Sequence, residues 1–243
     1  MIDVSCFAGA GPLVASRWST PESVEALLRG EGVTRAAVSP MAGLFGSEPH
    51  ANDELASLSF FFRLVPVVDP RWPDLAARLD RYRSQGCTAV RISPGSHGYR
   101  AADARELKQA CGALGMTLVL QMRVADQRNL PADLVLGQVD AADAVALAAA
   151  APAVPMVVAG ARAGELHTIL GAAPESVLAD VSLAEEPDVL RRAVAAHGAH
   201  RLLIGTHAPF LTPAAARQKL TAARLTPADR AAVGSGNAER LGF

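Results

Sequence analysis

Short apolar runs alternate along the chain with longer segments whose apolar residues recur every three or four positions. The runs are Ile2–Phe7, Arg35–Ser39, Leu64–Val68, Ala89–Ser93, Thr117–Val124, Met156–Ala159, Val177–Ser182 and Arg201–Thr206. Their Val, Ile and Leu content and the turn residues that bound most of them predict buried strands. Between them, Pro21–Arg29 puts Val24, Leu27 and Leu28 on one helical face. Pro73–Arg83, Ala101–Leu114, Ala141–Ala150, Glu185–Ala196 and Pro213–Ala223 read the same way.

Start and stop residues support these helices. Thr20-Pro21, Thr212-Pro213 and Thr226-Pro227 each place a capping hydroxyl before a proline suited to the first turn. Gly32, Gly86, Gly115 and Gly198 follow helical segments, where a left-handed cap favours glycine. Strands alternating with helices imply a parallel sheet. Eight such units in 243 residues predict an α/β protein with a closed (β/α)8 barrel. One domain spans 1–243, with an extra C-terminal helix in Leu225–Phe243. No Gly-rich phosphate loop follows the first strand, which speaks against a dinucleotide-binding fold.

A barrel of this kind places its site at the C-terminal strand ends. Residues two apart on a strand point the same way, which singles out Ser5 with Phe7, Arg91 with Ser93, Gln121 with Arg123, and Asp180 with Ser182. His207 follows the eighth strand. An imidazole there suits acid/base work because its ordinary pKa lies near neutrality. It could equally fill space and hydrogen-bond a neighbouring strand end. Arg91 and Arg123 could grip a carboxylate with their planar forks, or Arg91 could pair with Asp180 or Asp126 inside the barrel. His97 and Tyr99, in the loop Gly95–Arg100, could close over a ligand or form an ordinary connection. Asp126-Gln127-Arg128-Asn129 gives a weaker signal of the same kind. Asp180 reads as a second candidate for chemistry or as a buried hydrogen-bonding residue, and Ser5 as a ligand contact rather than a nucleophile.

Composition narrows the function. The chain is 50% hydrophobic and 19% charged, with a formal net charge of −1, so no long-range field draws it to nucleic acid or an anionic membrane. No apolar run is long enough to span a bilayer, and the N-terminus enters a strand without the features of a secretory signal. Three cysteines without ligand spacing, Cys6, Cys87 and Cys111, suggest reduced core thiols and a cytoplasmic protein.

Five segments in order resemble the amidohydrolase-related branch of the amidohydrolase superfamily. They are Met1-Ile2-Asp3-Val4, Asn52-Asp53-Glu54-Leu55 with Val65–Pro70, Val90–Gly95, Leu203–Phe210, and Asn237-Ala238-Glu239-Arg240-Leu241. The resemblance implies a barrel hydrolase or decarboxylase. Members that use a metal hold it with a first-strand His-x-His pair, histidines on strands five and six, and an aspartate after strand eight. Here Ser5 and Phe7 stand at the pair, Gln121 at strand five, nothing at Met156–Gly160, and His207 at the aspartate. The expected metal site and cofactor are therefore none. Three readings remain. The first is a metal-independent hydrolase or decarboxylase acting on a small, carboxylated, anionic molecule, with His207 as acid/base and Arg91 or Arg123 holding the anion. The second is a catalytically inactive barrel that binds a ligand or partners an active homologue. The third is a metal hydrolase with rearranged ligands. A homo-oligomer is the default state for such a barrel.

Overall fold

The computed structural model describes every residue except 14, 47–48, 56–57, 128–129 and 131–134. Eight strands run β1 (Ile2–Ala8), β2 (Arg35–Pro40), β3 (Phe62–Leu64), β4 (Ala89–Ile92), β5 (Thr117–Gln121), β6 (Met156–Ala159), β7 (Val177–Asp180) and β8 (Leu202–Leu203). All paired neighbours are parallel, in the orders β1-β2-β3 and β4-β5-β6-β7-β8. Backbone hydrogen bonds close both seams. Val4 N donates to Ile204 O (2.9 Å) and His207 N to Ser5 O (2.7 Å), joining β1 to the end of β8. Arg91 N donates to Pro66 O (2.7 Å) and Val68 N to Arg91 O (2.8 Å), joining β3 to β4. The result is the expected (β/α)8 barrel.

The third strand ends earlier than the apolar run suggests, and a side chain explains it. Asn52 Oδ1 accepts from Val67 N and Asn52 Nδ2 donates to Val67 O, both at 2.8 Å. The amide thus takes the place of a neighbouring strand's backbone at Val67, and Pro66 has no N–H to add. The segment Asn52–Leu55 lies in a 3-10 helix, Pro49–Leu55. The sequence reading also lacked the helix Ala163–Ala172 between β6 and β7. The helix expected from Glu185 begins only at Val189, because Asp188 sits at φ 56°. Thr20 and Thr226 cap their helices through the side chain, whereas Thr212 makes no such bond. The four glycines expected at helix ends all adopt positive φ.

Period-two alternation along the strands layers the barrel interior. Low in the barrel, Val4, Ala37, Val65, Ala89, Val119, Val157, Leu178 and Leu203 form an apolar layer, closed below by Ala238 of the C-terminal helix and by the terminal Phe243. Two residues further on, the same strands offer Ser39, Arg91, Gln121 and Asp180, all buried. The β1–β2 pairing shifts register between Asp3 and Cys6, so Val4 contributes to the apolar layer while its neighbour Ser5 reaches the polar one. Above lies an apolar cover of Phe7, Met41, Leu44, Val67 and Val124, with Phe45, Leu136 and Phe210 packed on it. The polar layer is therefore sandwiched between two apolar ones. None of the described helices is long and apolar enough to cross a membrane.

Candidate functional site

Arg91 occupies the middle of the polar layer and is 0% exposed. Its Nε donates to Ser39 Oγ (2.9 Å), and its Nη1 donates to Ser5 Oγ (3.3 Å) and to Gln121 Oε1. Nη2 reaches Val4 O at 3.4 Å. The guanidinium carbon lies 5.1 Å from the centre of the Phe7 ring. Arg91 makes no ion pair with Asp180 or with Asp126; Asp126 instead pairs with Arg162 at 3.5 Å. Burial pushes the Arg91 pKa down to about 10, against the attraction of Asp180, Cys6 and Asp3. It stays charged at neutral pH. A cation can remain there because neutral oxygens satisfy its donors.

Phe7 is also 0% exposed. It meets His207 edge-on with ring centres 5.0 Å apart and Phe210 at 5.6 Å. The aromatic side chain thus fills the mouth above Arg91, where the first-strand substitution placed it. His207 has φ 57°, a left-handed conformation uncommon outside glycine. Its Nε2 donates to Val124 O (2.6 Å), so the proton resides on Nε2. Burial drives the imidazole pKa down to about 4, opposed by the bond to Val124 and by Asp180. The ring is neutral near pH 7, and Nδ1 is a bare acceptor with no partner.

Asp180 shows the same asymmetry. Its Oδ1 accepts from Gly160 N (3.2 Å), Ser182 N (3.0 Å) and Ser182 Oγ (2.7 Å). Its Oδ2 is buried and has no donor. That oxygen fills the space beside Gly205, where a Cβ would lie 2.6 Å from it and 3.0 Å from Ser5 Cβ. Asp3, by contrast, is fully bonded: it accepts from Thr206 Oγ1 (2.5 Å), Thr206 N (2.9 Å) and Ser5 N (2.9 Å). Burial still raises its pKa to about 6.

Arg123 is committed elsewhere. It clasps Glu165 of the helix Ala163–Ala172 through Nη1 (2.7 Å) and Nη2 (2.5 Å), and also donates to Gly160 O (2.9 Å) and Gln138 Oε1 (3.1 Å). Gln121 joins the two groups, accepting from Arg91 and donating from Nε2 to Arg123 O (2.7 Å). His97 and Tyr99 fold onto the β2–β4 side instead of over the mouth. His97 Nε2 donates to Gly43 O (2.9 Å), and Arg71, bound to Asp69, donates to His97 O (2.8 Å) and lies 5.0 Å from the Tyr99 ring centre. Burial lowers the His97 pKa. Arg128 and Asn129 lie outside the described residues.

The structure therefore unites Ser5, Arg91, Gln121, Asp180 and His207 at one level, and separates Arg123, His97 and Tyr99 from them. Ser39 belongs to the Arg91 group and was readable, since it stands two residues beyond inward-facing Ala37. Glu165 was not readable, because a helix 42 residues on in sequence supplies it.

Two adjoining cavities open on this face. One, of about 310 Å³, runs from the loop after β1 across the ends of β5, β7 and β8; Leu13, Trp18, Asp126, Glu185, His207 and Phe210 are among its walls. The other, of about 390 Å³, shares Asp126, Leu183 and Glu185 and continues to Arg123, Arg162 and Glu165. Among the described residues no three His, Cys, Asp or Glu side chains converge as metal ligands. A divalent ion at the mouth would have Asp180 and His207 as donors and a buried guanidinium as neighbour. These residues do not fit the family's metal.

A closed (β/α)8 barrel with its polar residues on the strand ends defines the class. The family model for amidohydrolases matches residues 14–241, and the chain belongs to that family. Similar solved structures include 2,6-dihydroxybenzoate decarboxylase from Rhizobium, at 18% identity and TM-score 0.75, covering 99% of this chain and 97% of that one. A putative 2-pyrone-4,6-dicarboxylic acid hydrolase from Pseudomonas putida matches at 17% identity and TM-score 0.73, covering 99% and 96%. A dihydroxybenzoic acid decarboxylase from a Polaromonas species, with bound manganese and 2-nitroresorcinol, matches at 19% identity and TM-score 0.70, covering 99% and 96%. No curated protein matches the chain in sequence.

Proposed function

We propose that the protein is a metal-independent amidohydrolase-like enzyme that hydrolyses a small molecule seated in the cavity beside His207. The carrying observation is His207 itself, which lines a cavity of about 310 Å³ and holds a bare Nδ1 with Nε2–H anchored on Val124. A neutral imidazole fixed in one tautomer is a general base. It takes a proton from water as the water oxygen bonds to a carbonyl carbon, and returns it to the leaving atom as that bond breaks. Decarboxylation, which the names of two neighbours carry, instead needs a proton delivered to carbon. His207 carries its one proton on Nε2, where it is donated to Val124 O, and so has none at Nδ1 to deliver. Hydrolysis is therefore the reaction this geometry favours.

A second reading, a non-catalytic binding barrel, draws on the cover of Phe7, Met41, Leu44, Val67 and Val124 over an Arg91 whose partners are all protein groups. One screen separates the two. Protein purified in chelator is assayed against aryl esters, anilides, lactones and aromatic acids, alongside His207→Gln. Hydrolysis that survives chelator and disappears in H207Q supports the enzyme. Hydrolysis abolished by chelator and restored by manganese contradicts metal independence. Ligand binding without turnover would select the second reading.

A further inference from the structure

The backbone of His207 is strained, and specific bonds hold it. A left-handed φ of 57° crowds the Cβ of an L residue and persists only where the surroundings leave no alternative. Bonds grip the turn on both sides of residue 207. His207 N donates to Ser5 O (2.7 Å) and Phe7 N donates to Ala208 O (2.8 Å), which lays the turn along β1. Thr206 is buried and donates to the Asp3 carboxylate twice, from N to Oδ1 (2.9 Å) and from Oγ1 to Oδ2 (2.5 Å). The same hydroxyl accepts from Ala208 N (3.1 Å), so it spans His207 from the residue before to the residue after.

Asp3 completes the frame. Its Oδ1 also accepts from Ser5 N (2.9 Å), and Ser5 O in turn receives the His207 N–H. One buried carboxylate thus ties β1 to the end of β8 on either side of the strained residue. Burying a carboxylate is costly unless donors satisfy it, and all three donors here are groups of Ser5 and Thr206. The frame decides where the imidazole goes, because the sign of φ sets the direction of the Cα–Cβ bond. From this backbone the ring reaches Val124 O with Nε2 (2.6 Å) and meets Phe7 edge-on.

We propose that Asp3 and Thr206 are the positioning residues of His207: together they lock the left-handed turn that delivers the imidazole, as its Nε2–H tautomer, to Val124. The functional meaning rests on the reading of His207 as the base, whereas the geometry stands without turnover. Neither residue touches a substrate. With the hydroxyl gone, Asp3 Oδ2 and Ala208 N each lose a partner. The backbone at His207 then relaxes to negative φ, and the ring leaves Val124 and meets water.

The test follows the histidine side chains of the whole isotope-labelled protein by NMR, in wild type, Thr206→Val and Thr206→Ser. His207→Gln assigns the signal. In wild type the His207 ring is expected to hold its Nε2–H form and to titrate only near pH 4. T206V is expected to raise that midpoint by about one pH unit or more, a tenfold change in proton affinity. T206S keeps a hydroxyl and is expected to restore the wild-type midpoint. A T206V protein that melts earlier with its midpoint unmoved would reduce Thr206 to a structural role and overturn the proposal. So would a T206S midpoint equal to that of T206V. If T206V does not fold, wild type decides alone: the Thr206 hydroxyl proton is expected as a slowly exchanging signal, and its absence would overturn the clamp. A raised T206V midpoint in a protein that hydrolyses nothing in the screen above would support the positioning and overturn the base.

Discussion

The two sides of the barrel mouth treat buried polar groups in opposite ways. On the β1–β5 side the charge of Arg91 is enclosed, and Ser5, Ser39 and Gln121 take up its donors beneath Phe7. On the β7–β8 side Asp180 Oδ2 and His207 Nδ1 are buried acceptors with no donor, and a cavity reaches His207. A satisfied network rigidifies a core, whereas an unsatisfied buried acceptor carries a desolvation cost that a ligand or water can relieve. The first side thus reads as structure and the second as the working surface.

The largest effect expected from breaking this contrast lies at Arg91. Arg91→Ala empties the centre of the polar layer and strands three partners, at a cost of about 4 kcal/mol in denaturant unfolding. A cost under about 1 kcal/mol would mean that the enclosed side is not a structural keystone.

Next comes the pH dependence. Asp3 has its folded pKa raised from 3.8 to about 6, so the folded state binds the extra proton and stability falls as pH rises across that interval. His207 has its folded pKa lowered from 6.5 to about 4, so the unfolded state binds the extra proton and stability falls as pH drops across that interval. The two slopes oppose each other between about pH 4 and 6. Asp3→Asn removes one of them. Its stability relative to wild type is expected to improve by about 2.4 kcal/mol from pH 4 to 7, measured by urea melts across that range. An unchanged difference would show that Asp3 titrates normally in the fold.

Gly205→Ala comes third. Its Cβ would lie 2.6 Å from Asp180 Oδ2 and 3.0 Å from Ser5 Cβ, both on rigid strands, and about 2 kcal/mol is expected to be lost in thermal unfolding. The smallest effect is at Asp180. Asp180→Asn keeps an oxygen for Gly160 and Ser182 and replaces the bare acceptor with a donor, so a change under about 1 kcal/mol is expected. A loss as large as that of R91A would place Asp180 on the enclosed side.

Much of this was legible in the sequence. Period-two alternation located Arg91, Gln121 and Asp180 on inward positions, because strand geometry alone decides facing. Phe7 over the mouth followed from its place two residues after Ser5. What escaped was set by long-range partners. Glu165 takes Arg123 out of the mouth from a helix the apolar pattern did not mark. Asn52 shortens β3 through its side-chain amide. His97 turns toward Gly43, which no local spacing announces.

The most direct measurement is of metal content. Protein purified without chelator is analysed for elements, then titrated with manganese and zinc, in wild type and His207→Gln. No stoichiometric ion and no binding that depends on His207 are expected. One tightly held ion per chain, lost in H207Q, would contradict metal independence.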